Sequence, residues 1–172
     1  MRSNYREGLY QGERDTGWRK RAVYGPWFSE PDWAAWNDDY SGCACAVQRN
    51  RSGAWCGYVF LPDGHPVDQP RKHNPADDDD LSFGGDLTHG DPVWLDCHGG
   101  VTWHGPMNIP EANLSGTAVG FDCCHSSDAA PTHDWSGGTY SDLEYVIDET
   151  TKLAAQISEY GRLQQLINAG SK

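Results

Sequence analysis

The chain has no run approaching 18 apolar residues in its 172, so no membrane-spanning helix is expected. No apolar stretch follows Met1-Arg2-Ser3-Asn4-Tyr5-Arg6-Glu7. No secretory signal is therefore read there, and a reducing, cytoplasmic setting is expected. In that setting the six Cys read as free thiols or ligands rather than a disulfide frame. Basic residues are scarce: 13 Lys and Arg stand against 25 Asp and Glu, for a formal net charge of -12. That balance argues against direct binding along a nucleic-acid backbone, which needs basic surface. Familiar catalytic strings are missing as well. There is no paired CxxC, no HExxH and no GxSxG, and Gly84-Gly85 and Gly99-Gly100 match neither a phosphate loop nor a dinucleotide fingerprint.

Hydrophobic residues make up 37%, below the average of about 45–50%. Eight Trp and eight Tyr offset the deficit, because each aromatic buries on the order of 150–250 Å². The expected molecule is one α+β domain over residues 25–172, with a core built on aromatics. Residues 1–24 hold six Lys and Arg against three Asp and Glu, a local +3, which leaves about -15 for the rest. They read as a polar, weakly ordered arm.

Several segments carry a pattern. Ser29, as cap, with Pro31 in the first turn, predicts a short helix in which Trp33 and Trp36 share a face. Cys43 to Arg49 and Ala54 to Leu61 predict a hairpin closed by Asn50-Arg51-Ser52-Gly53. In its second strand Trp55, Gly57, Val59 and Leu61 share one face, while Cys56, Tyr58 and Phe60 share the other. Pro62-Asp63-Gly64-His65-Pro66 stops that strand. Residues 63–92 read as a long polar loop containing Asp77-Asp78-Asp79-Asp80, and four adjacent carboxylates favour extension. Val93 to Cys97, Val101 to Trp103 and Thr117 to Cys123 read as further strands. From Ser141 a capping box opens a helix over about 142–160, with Leu143, Val146, Ile147, Thr150, Leu153, Ala154 and Ile157 at helical spacing. Its apolar stripe needs a partner, most simply an antiparallel or mixed sheet.

The chemistry-bearing groups gather in two echoing strings, Asp96-Cys97-His98 and Asp122-Cys123-Cys124-His125, each where a predicted strand ends. Strand ends put polar side chains at a sheet rim, where loops build sites. Three kinds of chemistry fit there. Cys123 acts as a nucleophile, with His98 or His125 as base and Asp122 or Asp128 as orienter. Alternatively His98, His125 and Asp128 hold a zinc-like divalent metal, which needs about three ligands and an open position. In the third, the same groups bind a small polar ligand without breaking a bond. Tyr58, His65, Gly99, Gly100 and Thr102 are the candidate ligand-binding residues around them, the glycines because they allow close approach and expose amide donors. A different class of function, an acidic inhibitor that engages a host protein, is suggested by the -12 charge and the 77–80 run.

Trp55-Cys56-Gly57-Tyr58-Val59-Phe60-Leu61-Pro62-Asp63-Gly64-His65-Pro66, His98-Gly99-Gly100-Val101-Thr102-Trp103 and Gly120-Phe121-Asp122-Cys123-Cys124-His125-Ser126-Ser127-Asp128, with Leu143-Glu144-Tyr145-Val146, resemble a family of small, functionally uncharacterised bacteriophage and prophage proteins. The resemblance spans roughly residues 43–160. It implies that His65, His98, Asp122, Cys123, His125 and Asp128 are the positions that matter, in the host cytoplasm, with modulation of host processes such as antiviral defence as the context. It transfers no mechanism.

Overall fold

The computed structural model describes residues 8–68, 95–133 and 137–171. It holds six strands, β1 (Tyr10–Gly12), β2 (Trp33–Asn37), β3 (Ala44–Arg49), β4 (Trp55–Phe60), β5 (Trp103–Ile109) and β6 (Leu114–Asp122), followed by one helix, α1 (Leu143–Gly170). The strands form a single sheet in the order β1-β2-β3-β4-β6-β5, and every neighbouring pair is antiparallel. The fold is α+β, with α1 packed on the β3–β4 part of the sheet. Among the described residues no helix is long and apolar enough to cross a membrane.

Period-two alternation divides the strands between two faces. Toward α1 point Ala34, Trp36, Cys45, Val47, Trp55, Val59, Val119 and Phe121, which pack with Val146, Leu153, Ala154 and Ile157 of the helix. Burying each such aliphatic or aromatic side chain contributes about 1.5–3 kcal/mol, so this layer holds α1 on the sheet. The opposite face gathers Ala35, Ala46, Cys56, Tyr58, Phe60, Ile109 and Ala118. Gly57 sets the closest approach of helix to sheet, since a Cβ there would lie 2.2 Å from Oγ1 of Thr150. That hydroxyl donates back to the Val146 carbonyl at 2.7 Å.

The β3–β4 hairpin and its Asn50–Gly53 turn form as expected. Oδ1 of Asn50 accepts from the amides of Ser52 and Ala54 at 2.8 and 3.2 Å, and Gly53 takes φ +78°. Other segments depart from expectation. Trp33 to Trp36 is not helical but lies in β2, so the two indoles point to opposite faces, Trp36 toward α1 and Trp33 away. Pairing with β1 and β3 on both sides outweighs the helical preference of Ala34-Ala35. Only Pro26–Ser29, just before, makes a 3-10 turn.

The arm touches the fold over residues 8–24, while Tyr10, Val23 and Tyr24 stay exposed. β1 joins the sheet, and Trp18 is 0% exposed, with Nε1 donating to Oδ1 of Asp32 at 3.1 Å. Val93 and Trp94 lie outside the described residues, as do most of the 63–92 loop and the 77–80 run. Leu95 to Cys97 forms no strand, because the backbone of Asp96 bonds through both N and O, at 2.7 Å each, to the side-chain amide of Gln156 on α1. β5 begins at Trp103 and continues through Gly105 and Pro106, which an edge strand tolerates. Asp142, not Ser141, caps α1 by accepting from the Tyr145 amide at 2.9 Å. The helix also runs on through Gly161 to Gly170.

Candidate metal centre at the end of β6

The antiparallel β5–β6 hairpin brings the two His-bearing strings together. Its register pairs Trp103 with Gly120, and the Thr102 amide still donates to the Gly120 carbonyl at 2.9 Å. Extending that register outward sets His98 opposite His125. Their rings lie 5.5 Å apart between centroids.

Two turns then aim the side chains. Cys97 to Gly100 closes with the Gly100 amide on the Cys97 carbonyl at 2.9 Å, and Gly99 takes φ +66°. A Cβ on Gly99 would sit 2.1 Å from Cε1 of His125, so glycine is what lets the second imidazole lie against the first loop. His125 to Asp128 closes similarly, the Asp128 amide donating to the His125 carbonyl at 3.0 Å.

Asp128, 3% exposed, is the centre of the arrangement. Its Oδ2 accepts from the His125 amide at 2.8 Å and lies 3.1 Å from Nδ1 of the same residue. Nε2 of His98 lies 3.1 and 3.0 Å from the two carboxylate oxygens. Burial pushes the Asp128 carboxyl up. The hydrogen bonds from His98 and from the His125 amide, with the charge of His98, outweigh it and hold the group below the usual carboxylate range. An ionised carboxylate only accepts, so both imidazole nitrogens facing it carry protons here. Nδ1 of His98 lies 3.0 Å from the Tyr145 hydroxyl.

One atom from each of His98, His125 and Asp128 lies within 4.8 Å of the others, a set able to hold a metal ion. With zinc–ligand bonds of about 2.0–2.2 Å, the edge of a tetrahedral site is about 3.3 Å. The 3.0 and 3.1 Å nitrogen–oxygen separations are close to that edge, so each imidazole stands from the carboxylate at a distance a shared zinc-like ion would allow. The second nitrogen of a metal-bound His usually has an oxygen partner, and the Tyr145 hydroxyl meets that requirement for His98. Tyr145 lies in the Leu143-Glu144-Tyr145-Val146 string, which by itself assigns it no role. Its legible signal is that it interrupts the apolar stripe of α1 in the first turn, where it remains 41% exposed.

The other candidates are placed elsewhere. Cys123 is buried in the layer beneath α1. Burial pushes its thiol far up; a bond to Ser141 opposes this, and the charges of Asp128, Cys56 and Asp122 add smaller upward contributions. A buried thiol shifted that way does not fit a nucleophile at neutral pH. Asp122 clasps the hairpin, taking the Thr102 hydroxyl at 2.8 Å and the Cys124 amide at 3.0 Å; both residues serve the strand ends rather than the imidazoles. The Gly100 amide is likewise used within its turn. Tyr58 points away from α1 on β4, into the opposite core. His65 does not reach the cluster. Its Nδ1 accepts from the Val67 amide at 3.2 Å, the ring is also bonded to the Ile157 backbone, and it rests where a Cβ on Gly161 would lie 2.6 Å from Nε2. Gly161 is sixteen residues beyond Tyr145, about 24 Å along the helix. All six Cys are free thiols.

A second polar cluster, also unread in the sequence, fixes the start of α1. Arg49, fully buried, lies between the rings of Trp18 and Trp55, at 4.9 and 4.2 Å from their centroids. It donates to Oε2 of Glu30, which also accepts from Tyr140 and Trp55. Oε1 of Glu30 takes the first helical amide, Leu143, at 3.0 Å. Comparison with protein-family models, curated proteins and solved structures finds no match to the chain.

Proposed function

We propose that the chain binds a divalent transition metal through His98 Nε2, His125 Nδ1 and Asp128, and presents its open position to a small polar ligand. The observation that carries this reading is the meeting of two imidazoles and one buried, ionised carboxylate from strings 30 residues apart in sequence. Three protein ligands with one vacancy is the pattern of catalytic rather than structural zinc. A bound metal would lower the pKa of a water held there to about 7, so hydrolysis of the ligand is the reaction the three residues would support.

The test is metal analysis of the purified full chain, with isothermal titration of zinc into chelator-treated protein. Near-stoichiometric binding that is lost in His98→Ala, while the unfolding transition is kept, supports the reading. Stoichiometric binding that survives both His98→Ala and His125→Ala places the metal elsewhere and defeats it.

The Tyr145 bond favours a second reading. Without metal, Asp128 orients His98 against the Tyr145 hydroxyl, whose pKa burial and the charge of Glu149 push up, so the pair fits proton donation to a ligand rather than an activated nucleophile. Activity that survives chelation but disappears in Tyr145→Phe would select this relay.

A further inference from the structure

We infer that Gln156 is a positioning residue for the metal centre, clasping the backbone of the loop that carries His98 against α1; this rests on the metal reading above and extends it to a residue that acts on His98 through Asp96.

The loop needs such a hold. Leu95 to Cys97 joins no strand, so its backbone N–H and C=O groups require partners from elsewhere. Gln156 supplies two. Its Oε1 accepts from the Asp96 amide at 2.7 Å, and its Nε2 donates to the Asp96 carbonyl at 2.7 Å. A neighbouring strand exchanges the same two bonds in an antiparallel ladder, so one side-chain amide stands in for a strand. Nε2 also donates to the Lys152 carbonyl at 3.2 Å, one turn back on α1. That bond fixes which way round the amide lies. Reversed, it would set a donor against the Asp96 amide and its oxygen against two carbonyls.

The path from the clasp to the metal ligand is short. His98 follows two residues on, inside the turn closed by the Gly100 amide on the Cys97 carbonyl. Cys97, between clasp and ligand, is buried in the layer beneath α1. Tyr145, whose hydroxyl lies 3.0 Å from Nδ1 of His98, is eleven residues before Gln156 on α1, close to three turns and so on the same face. The helix thus meets the loop at its backbone and at the His98 ring. His125 and Asp128 depend less on that contact, because their own turn ties them together: the His125 amide donates to Asp128 at 2.8 Å, and the Asp128 amide donates to the His125 carbonyl at 3.0 Å. His98 is the ligand that arrives from a separate loop, and a working site has to be held within about 0.5 Å of its geometry.

Gln156→Leu in the full chain removes both clasp bonds and keeps a good helix former. Imidazole resonances of the metal-free chain read the loop first. Those of His98 are expected to move toward a solvated ring, while those of His125 stay in place. Zinc titration then reads the centre, and affinity is expected to fall about tenfold, the lower end for an outer partner of a metal site. Ile157→Val, at the next residue but fully buried in the core, loosens α1 without touching the clasp and is expected to keep the parent's zinc affinity. Urea unfolding confirms that both variants fold. Unchanged His98 resonances in Gln156→Leu, or an equal loss of zinc affinity in Ile157→Val, overturn the positioning role. Absence of zinc binding in parent and variants alike defeats the metal reading, while a shift confined to His98 in the metal-free chain still establishes the hold on its ring.

Discussion

Nε2 of His98 lies 3.0 Å from Oδ2 of Asp128, although one follows the unpaired segment before β5 and the other follows β6. The hairpin between them is the cause. An antiparallel pair places the residues before its first strand beside those after its second, so the Trp103–Gly120 register carries on to His98 and His125. The chemistry sits at the open end of that hairpin, and the opening turn of α1 adds Tyr145 from a third direction.

Asp128→Asn is expected to remove metal binding and to alter acid stability. Zinc affinity should fall by more than the roughly 10–100-fold lost when an outer partner of a metal site is removed. The folded carboxyl titrates below its unfolded value. Its stabilising contribution is thus complete above the ordinary carboxyl pKa of about 3.9 and is lost as pH falls through the lower folded value. Thermal unfolding followed from neutral into acidic solution should show a shallower acid limb in Asp128→Asn. Identical limbs in variant and parent would mean the carboxylate is not held by the imidazoles in solution.

Tyr145→Phe should separate positioning from folding. The side chain is 41% exposed, and the removed hydroxyl serves Nδ1 of His98. Stability should change by no more than about 0.5 kcal/mol. Zinc affinity should fall about tenfold or more, because the ring loses the partner that fixes its orientation. Titration calorimetry and urea unfolding on the same samples read the two effects separately, and equal zinc affinity in variant and parent would show that His98 is oriented by Asp128 alone.

Much of this architecture is legible in the sequence, and the exceptions share a cause. α1 and the β3–β4 hairpin announce themselves because their period and turn residues are local. β2 does not, since Trp33-Ala34-Ala35-Trp36 fits a helix by spacing and becomes a strand only when β1 and β3 flank it. The His98 and His125 strings are visible as strand-end echoes, but their meeting depends on β5 pairing with β6, which no local pattern states. His65 and Tyr58 show the converse. They sit in motifs as conspicuous as the two imidazoles, yet strand alternation sends Tyr58 to the other face, and the long reach of α1 takes His65 to Gly161. Glu30, Asp32 and Arg49 carry no clear signal because single charges read as surface. Arg49, after Gln48 at the end of the apolar run Ala44 to Val47, is the one available hint.

Gly99→Ala tests the contact between the two loops. A Cβ there meets His125 at 2.1 Å, and φ +66° costs a non-glycine residue about 1–2 kcal/mol. The imidazole is partly exposed and can swing outward, so the fold should survive with a loss of that size. The metal site should not survive, because His125 leaves Asp128. Zinc titration reads the loss, and the His125 imidazole resonances should move toward those of a solvated ring. Undiminished zinc affinity in a folded Gly99→Ala chain would remove His125 from the ligand set.

Glu30→Gln probes the buried cluster that fixes the start of α1 and, through it, Tyr145. The replacement keeps the shape but removes the charge facing Arg49. It also turns one acceptor atom into a donor where Arg49, Tyr140, Trp55 and Leu143 all supply protons. Arg49 is left with Asp32 at 3.9 Å as its remaining carboxylate. Removing one partner of a buried pair costs about 3–5 kcal/mol. For a chain of this size that lowers Tm by roughly 2–4 °C per kcal/mol, so calorimetry should show a fall of about 6–20 °C. Arg49→Met alone should also destabilise, leaving Glu30 without its cation. The double variant should be less damaged than the two single losses added together, because no charge is then stranded. Strict additivity across that cycle would show that Glu30 and Arg49 are stabilised independently, by the Leu143 amide on one side and the Trp18 and Trp55 rings on the other.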